Sequence, residues 1–150
     1  MKKVITIILI CAVLCLAAGC KLMDTEKMAA MIDKQEEIAS LLDYEAEISC
    51  WENSKGGTTV NITPLDQTRE EFGKYIISGV RVVKDLLGHD LGTLTVGYST
   101  DDGVIVFTLG DVNYGVIMDG TTEQMYHYAT EADIAIDYPS AAEYLESIAE

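Results

Sequence analysis

The amino-acid sequence predicts an α+β domain whose elements follow in the order helix, two strands, helix, three strands, helix. Apolar residues recur every three or four positions in two long segments, 23–42 and 63–88, which is the period of a helix with one buried face. Five shorter segments have the alternation or the β-branched content of strands. Gly and Asp residues separate the last three strands, which is typical of an antiparallel meander, and we expect the strands to pack as a sheet with the long central helix.

The first half of the domain begins with a helix and a hairpin. The segment 23–42 predicts a helix, which Asp24 or Thr25 can cap. The segments 44–51 and 58–62 predict two short strands, because paired glycines between them suit a hairpin turn.

The central helix is the element that the sequence predicts most clearly. Thr63 is a suitable N-cap, Pro64 suits the first helical position, and Asp66 completes a capping box. Gly88 is suited to end the helix. The apolar stripe along it consists of Phe72, Tyr75, Ile76, Gly79, Val80, Val83, Leu86 and Leu87.

The second half of the domain predicts a three-stranded meander followed by a tail. The strands are expected at 91–99, 103–109 and 113–119. Beyond them, the tyrosine-rich segment 121–138 predicts irregular structure, and Pro139 opens a short final helix.

The first nineteen residues have the composition of a secretory signal peptide. Two lysines are followed by the apolar run 4–18, "VITIILICAVLCLAA". As a helix this run would span about 22 Å, whereas a bilayer core is about 30 Å thick. A permanent transmembrane helix is therefore the less favoured alternative.

The end of the apolar run indicates how the protein is held. The sequence "LAAGC", residues 16–20, resembles the lipobox of prokaryotic lipoproteins, in which a cysteine receives diacylglycerol before the signal peptide is cut. The resemblance implies that Cys20 becomes the first mature residue. Its sulfur would carry a thioether-linked lipid, and its amine would carry an acyl chain such as palmitate. It predicts a protein on the cell membrane that faces outside the cytoplasm; ordinary signal cleavage beside an incidental cysteine is the alternative.

Cysteine content and charge exclude an internal disulfide and one class of partner. Two of the four cysteines lie in the signal segment and Cys20 is the lipid site, so Cys50 has no internal disulfide partner and is expected to be a small buried residue. Removal of residues 1–19 takes two lysines and no acids, which leaves eight basic residues against 25 acidic ones and a formal charge of −17. Such a charge excludes nucleic acid as a partner, because a basic face would be needed.

The predicted organisation is signal peptide 1–19, lipidated cysteine and N-terminal helix 20–43, and α+β domain 44–150.

The segment 84–120, "KDLLGHDLGTLTVGYSTDDGVIVFTLGDVNYGVIMDG", resembles the helix-plus-meander half of roadblock/LC7 domains. The resemblance implies a five-stranded antiparallel sheet, dimerisation through the long helix or the sheet edges, and a regulatory or scaffold role. Roadblock domains often act with small GTPases in the cytoplasm, and an exported chain would meet none, so the scaffold role is what the resemblance implies here.

The sequence contains no constellation that requires catalysis, a cofactor or a metal. Phosphate-binding and dinucleotide-binding glycine motifs are missing from it, and the Asp spacing does not fit a calcium loop. His127 between Tyr126 and Tyr128 could act as a base only with a nearby nucleophile and an orienting carboxylate, and Glu131 and Asp133 are the candidates for that carboxylate. A hydrolase built around His127 is therefore a third, less favoured hypothesis.

The sequence predicts a membrane-anchored interaction or scaffold module that is not an enzyme. Ile77 and Val82 flank the apolar stripe of the central helix and would be exposed unless another chain covered them, with Arg81 beside them. The expected partner is therefore a second copy of the chain, giving a homodimer, or another envelope protein. The alternative is a small-ligand or cell-envelope-binding lipoprotein that uses the tyrosine-rich segment 124–144, including Tyr126, His127 and Tyr128.

Overall fold

The structure is a computed structural model that describes most of the chain from Thr25 onward. The described residues are 25–101, 103–110, 115–120, 125–128 and 130–149, with the backbone alone for 115–120, 125–128, 139 and 148. Cys20 and residues 1–19 lie outside the described residues. The chain divides into two compact units, 1–33 and 34–150. Among the described helices, none has the length and apolar content needed to cross a membrane.

Four helices and six strands make up the described part of the chain, so the α+β class is confirmed. In chain order they are α1 (Thr25–Leu41), β1 (Ala46–Glu52), β2 (Thr58–Pro64), α2 (Phe72–Leu87), β3 (Leu91–Thr100), β4 (Gly103–Leu109), β5 (Gly115–Gly120), β6 (Met125–Tyr128), α3 (Glu131–Asp137) and α4 (Pro139–Ala149). A 3₁₀ turn, Gly88–Asp90, joins α2 to β3, and Gly88 ends α2 with a positive φ of 52°, as predicted.

The six strands form one mixed sheet in the order β1-β2-β3-β4-β5-β6. Strands β2 and β3 are parallel, and every other neighbouring pair is antiparallel. The prediction of a five-stranded antiparallel sheet is therefore wrong, and the resemblance to roadblock/LC7 domains does not extend to the sheet. The extra strand is β6, which lies in the segment 121–138 that was expected to be irregular.

The parallel pair results from the helix between the two strands. A strand pair joined by a tight turn must be antiparallel, whereas a crossover helix carries the chain back to the end at which the first strand began. Helix α2 is such a crossover, since residues 65–90 connect β2 to β3. Local periodicity in the sequence predicts each element but not which strands become neighbours.

The start of α2 also differs from the prediction. Pro64 is the last residue of β2 and pairs with Ala46 of β1, while the pairing of β2 with β3 ends at Ile62. Proline has no backbone N–H to donate, so it is tolerated at this end of the strand, beyond the last β3 partner. The helix begins at Phe72, and Glu71 precedes it without a side-chain capping bond, so the predicted cap at Thr63 is wrong.

One face of the sheet is buried. Alternate residues of β2, β3 and β4 are buried, and Cys50 of β1 joins them. Within unit 34–150, Ile38 from the end of α1 is fully buried, and Lys34 Nζ donates a hydrogen bond of 3.2 Å to Thr58 Oγ1. Helix α2 packs against this face, since a Cβ added at Gly79 would lie 3.2 Å from Ile62 Cδ1 and 3.3 Å from Val96 Cγ2.

The opposite face of strands β1 to β4 contains no buried residue among those described, and we call it the open face. Its residues are Glu47, Ser49, Trp51, Thr59, Asn61, Thr63, Leu91, Thr93, Thr95, Gly97, Ser99, Val104, Val106 and Thr108.

Helix α2 is packed on a second side by the C-terminal helices. A Cβ added at Gly73 would lie 2.6 Å from the Cβ atoms of both Tyr138 and Ala141. The Phe72 and Tyr138 rings meet edge-on with their centroids 5.7 Å apart. The predicted apolar stripe of α2 is buried, apart from a half-buried Leu86, and the helix buries further residues beyond it.

We predict that Gly73→Ala destabilises the domain although alanine favours a helix by about 1 kcal/mol over glycine. Two attached Cβ atoms stand in the way of the added methyl, so backbone must move, and overpacking of this kind costs about 1–3 kcal/mol. The matched control is Gly79→Ala, because the nearest atoms to its added Cβ are side-chain ends at 3.2 Å or more. Thermal unfolding should give a lower melting temperature for Gly73→Ala than for Gly79→Ala; the reverse order would contradict the close packing of α2 on α4.

Candidate functional site

Two clefts of about 520 and 560 Å³ adjoin each other, the first beside the first turn of α2 and the second beside the end of α1. They share Tyr44, Glu45 and Leu65, so we treat them as one groove and call it the α2 groove. Its lining residues are Ala39, Leu42, Asp43, Tyr44, Glu45, Ala46, Leu65, Asp66, Thr68, Glu70, Glu71, Lys74 and Tyr75. A groove of this size can hold a peptide segment or a small molecule.

A pair of tyrosines fixes the shape of the groove. The rings of Tyr44 and Tyr75 are 4.8 Å apart between centroids and inclined by 48°. The Tyr44 hydroxyl donates a 2.9 Å hydrogen bond to the backbone carbonyl of Tyr75. The Tyr75 hydroxyl donates to the carbonyl of Asp66 and lies 3.1 Å from Thr68 Oγ1. Segments on either side of the groove are therefore tied to α2.

The Tyr44 hydroxyl is held in its neutral form. Burial raises its pKa well above the ordinary value of 10.0, and the charge of neighbouring Asp43 raises it further. Both effects disfavour a phenolate, because ionisation would place a negative charge in a poorly solvated site beside a carboxylate. Tyr44 is therefore a structural hydrogen-bond donor over the physiological pH range.

The rim of the groove is acidic. Five carboxylates line it, namely Asp43, Glu45, Asp66, Glu70 and Glu71. Among the described residues that line it, Lys74 is the only basic one, and its Nζ is 3.7 Å from Glu71 Oε2 in a surface pair. Such exposed pairs contribute little energy. Because five carboxylates line the groove against one lysine, the groove has a net negative field.

The floor and edge of the groove add an apolar component. Leu65 is 53% exposed although it is a large aliphatic residue, and Leu42, Ala39 and Ala46 lie close to it in the same cleft. Within the part of the chain that the structure describes, no three His, Cys, Asp or Glu side chains are arranged to hold a metal ion. The arrangement therefore suits an organic cation with an apolar portion.

Ile77 does not lie where the dimer prediction requires. It is fully buried (0% exposed) within the single chain, so the expectation that it would be exposed on the monomer is wrong. Gly73, Ile77 and Arg81 are spaced four residues apart and share one side of α2. Gly73 meets α4 and Arg81 reaches α3, so the C-terminal helices of the same chain cover this side. Val82 is half-buried.

Arg81 is used inside the chain. Its Nη2 is 2.6 Å from Glu131 Oε2, and its Nε makes further hydrogen bonds of 3.1 and 3.3 Å to the same carboxylate. The guanidinium also lies 5.9 Å from the centre of the Tyr144 ring. The guanidinium of Arg81 thus contacts both α3 and α4 from α2. These contacts within the chain explain Arg81 without a partner protein.

The tyrosine-rich segment is only partly described. Tyr126, His127 and Tyr128 form most of β6, where they pair with Ile117, Val116 and Gly115 of β5; their side chains lie outside the described ones. Farther along, Tyr138 is buried against Phe72, so its role is packing. A ligand or catalytic site at His127 remains a prediction.

Cys50 behaves as the sequence predicts. It is a buried free cysteine on the inner face of β1. Burial raises the pKa of its thiol, while the charge of Lys34 lowers it by a smaller amount. A buried thiol with a raised pKa is a poor nucleophile.

Comparisons of the chain with protein-family models, with curated proteins and with solved structures found no match. Sequence reasoning missed the α2 groove because its residues come from two separate segments, 39–46 and 65–75. The signal that could have found it is Leu65 among acidic residues in "PLDQTREE", a loop in which a large aliphatic side chain has no helical or strand pattern to explain it.

The raised pKa of Tyr44 gives a pH-dependent prediction. Because the hydroxyl ionises in the unfolded chain near pH 10 but not in the folded chain, its stabilising contribution is complete below pH 10 and is lost progressively at higher pH. This loss can reach about 1.4 kcal/mol per pH unit. Urea unfolding at pH 9, 10 and 11 should show a steeper loss of stability for the native chain than for Tyr44→Phe. Equal slopes would show that Tyr44 is not buried as described.

Proposed function

We propose that the protein is a lipoprotein, anchored through Cys20 to the outer side of the cytoplasmic membrane or to another envelope membrane. The lipobox-like sequence at residues 16–20 supports the anchor. Helix α1 begins at Thr25, so only four residues lie between the lipid site and the first described helix. With a formal charge of −17 after cleavage, the protein has no electrostatic attraction to anionic lipid, and the lipid would supply the membrane affinity.

We propose further that the domain is an interaction module that binds a basic, partly apolar segment of another envelope protein in the α2 groove. The observation that carries this proposal is the acidic rim around Tyr44 and Leu65. Lysine or arginine side chains would meet the carboxylates of the rim, and an aliphatic or aromatic side chain would cover Leu65, which is otherwise exposed. The tyrosine pair holds the site in one shape before binding, which lowers the entropy cost of association.

A basic partner is favoured over a second copy of the chain. Two copies would each bring a strongly negative surface, and their repulsion opposes association. The apolar flank of α2 that suggested a homodimer is covered internally, since Ile77 is buried. The scaffold role proposed here rests on the groove and not on the roadblock resemblance.

Lipidation is tested at its own residue. We expect Cys20→Ser to abolish incorporation of labelled fatty acid, because serine lacks the thiol that would form the thioether, and to remove the chain from the membrane fraction or leave it uncleaved. Cys11→Ser and Cys15→Ser are the matched controls, since both cysteines lie in the segment that would be discarded. Continued labelling and membrane retention of Cys20→Ser would refute the anchor.

The groove is tested with a labelled octapeptide of alternating Lys and Leu and the full-length chain in detergent. We expect saturable binding at low salt. The triple variant Glu45→Gln, Glu70→Gln, Glu71→Gln should bind on the order of tenfold more weakly, because charge pairing at the rim is lost. Fluorescence anisotropy gives the dissociation constants.

The matched control for the groove is the triple variant Glu36→Gln, Glu143→Gln, Glu146→Gln. It removes the same total charge at exposed residues that do not line the groove. It should bind nearly as well as the native chain. An equal loss in both triple variants would show that overall charge, not the groove, attracts the peptide, and the proposed function would then be wrong.

A further inference from the structure

The open face of the sheet has an ordered array of polar groups. One row crosses three strands, from Trp51 of β1 through Thr59 to Thr93. The next row crosses four strands, and its members are Ser49, Asn61, Thr95 and Thr108. Neighbouring strands are about 4.8 Å apart and successive rows about 6.7 Å apart. The rows therefore present hydroxyl and amide groups at regular intervals over one face of the sheet.

The open face is almost uncharged, in contrast to the rest of the protein. Glu47 is the only charged residue among the described open-face residues of β1 to β4. Charged residues form 23% of the chain, and the formal net charge is −15. A ligand that fits this face must therefore be recognised without ion pairs. Nucleic acids and anionic polymers would find no basic group there, and a cation would find a single carboxylate at the border.

Trp51 supplies a flat apolar platform at one end of the array. It is the only tryptophan of the chain, and it is 43% exposed on an edge strand. Indole is the largest aromatic surface available to a protein, and its exposure to water is unfavourable unless a partner covers it. Thr59 lies opposite Trp51 in the strand register, so the platform borders the first polar row directly.

We propose that the open face binds a neutral glycan chain. A sugar ring has one face of C–H groups, which stacks on indole, and an edge of hydroxyl or acetamide groups, which exchange hydrogen bonds with Ser, Thr and Asn side chains. Threonine serves both needs, because each side chain offers a methyl group and a hydroxyl. An extended polymer suits an array that runs across four strands better than a small molecule does, since it can contact several rows at once. A protein partner would instead be expected to meet a more apolar centre.

This site is separate from the α2 groove. The glycan proposal depends on the proposed function in one respect: export would bring the open face into contact with envelope polysaccharide. Binding to the purified chain can therefore succeed or fail independently of lipidation and of peptide binding.

The test uses the full-length chain in a sugar-free detergent, titrated with chitohexaose, cellohexaose and maltohexaose. Because Trp51 is the only tryptophan, intrinsic fluorescence reports on the platform itself. We expect at least one of these neutral oligosaccharides to produce a saturable change in emission. Its dissociation constant should change by less than about twofold between 0.1 and 1 M salt, because no charges are paired.

Two variants separate hydrogen bonding from stacking. The double variant Asn61→Ala, Thr95→Val keeps Trp51 but removes two polar groups of the long row, and should weaken binding on the order of tenfold. Trp51→Ala, measured by retention on the corresponding insoluble glycan, should lose binding. Ile136→Ser is the control, because Ile136 is exposed on α3 outside both the open face and the α2 groove, and it should bind as the native chain does. Circular dichroism melting checks that each variant is folded.

Several results would overturn the inference. These are the lack of a saturable response to all three oligosaccharides, binding that disappears in 1 M salt, and unchanged affinity in the double variant. Light scattering adds another: if the native chain is a dimer that Trp51→Ala converts to a monomer, a second copy covers the open face and the glycan assignment is wrong.

Discussion

Helix α2 is packed on two sides, and the close approach of its glycines makes this possible. Gly79 brings the helix near Ile62 and Val96 on the sheet, while Gly73 brings it near Tyr138 and Ala141 of the C-terminal segment. A helix with one apolar stripe would need only the sheet. Because α2 buries its second side as well, the C-terminal helices have a surface to pack on, and Arg81 fixes α3 to it through Glu131. The two glycines therefore allow α2 to pack both on the sheet and on the C-terminal helices.

The α2 groove depends on the same helix. Tyr75 lies on the buried side of α2, and its hydroxyl fixes the loop that carries Asp66 and Thr68. Tyr44 reaches the helix backbone from the other wall of the groove. The sequence could not predict this site, because no pattern within either segment shows that the segments meet. What the sequence does show is the abundance of acids in both segments, which gives the groove its negative field.

The parts of the fold that could be predicted are those governed by local periodicity. The alternation of Leu94, Val96 and Tyr98 predicts β3, and all three are buried; the stripe of α2 is predicted in the same way. The helix start predicted at Pro64 is wrong because proline also suits the end of a strand that has no neighbouring strand on one side. Ile77 was misplaced because its burial depends on α3 and α4, which are distant in sequence. Likewise, the parallel pairing depends on where α2 docks.

The parallel contact between β2 and β3 also governs how the domain folds. Every other neighbouring pair among the described strands is joined by a short connection, whereas β2 and β3 are separated by residues 65–90. Short connections close fast, and a crossover of this length closes slowly, since chain entropy must be lost before contacts form. We therefore expect the hairpin β1–β2 and the meander from β3 onward to form before α2 docks. Until α2 docks, β2 and β3 would each present an unpaired edge, at which a nascent chain is open to aggregation.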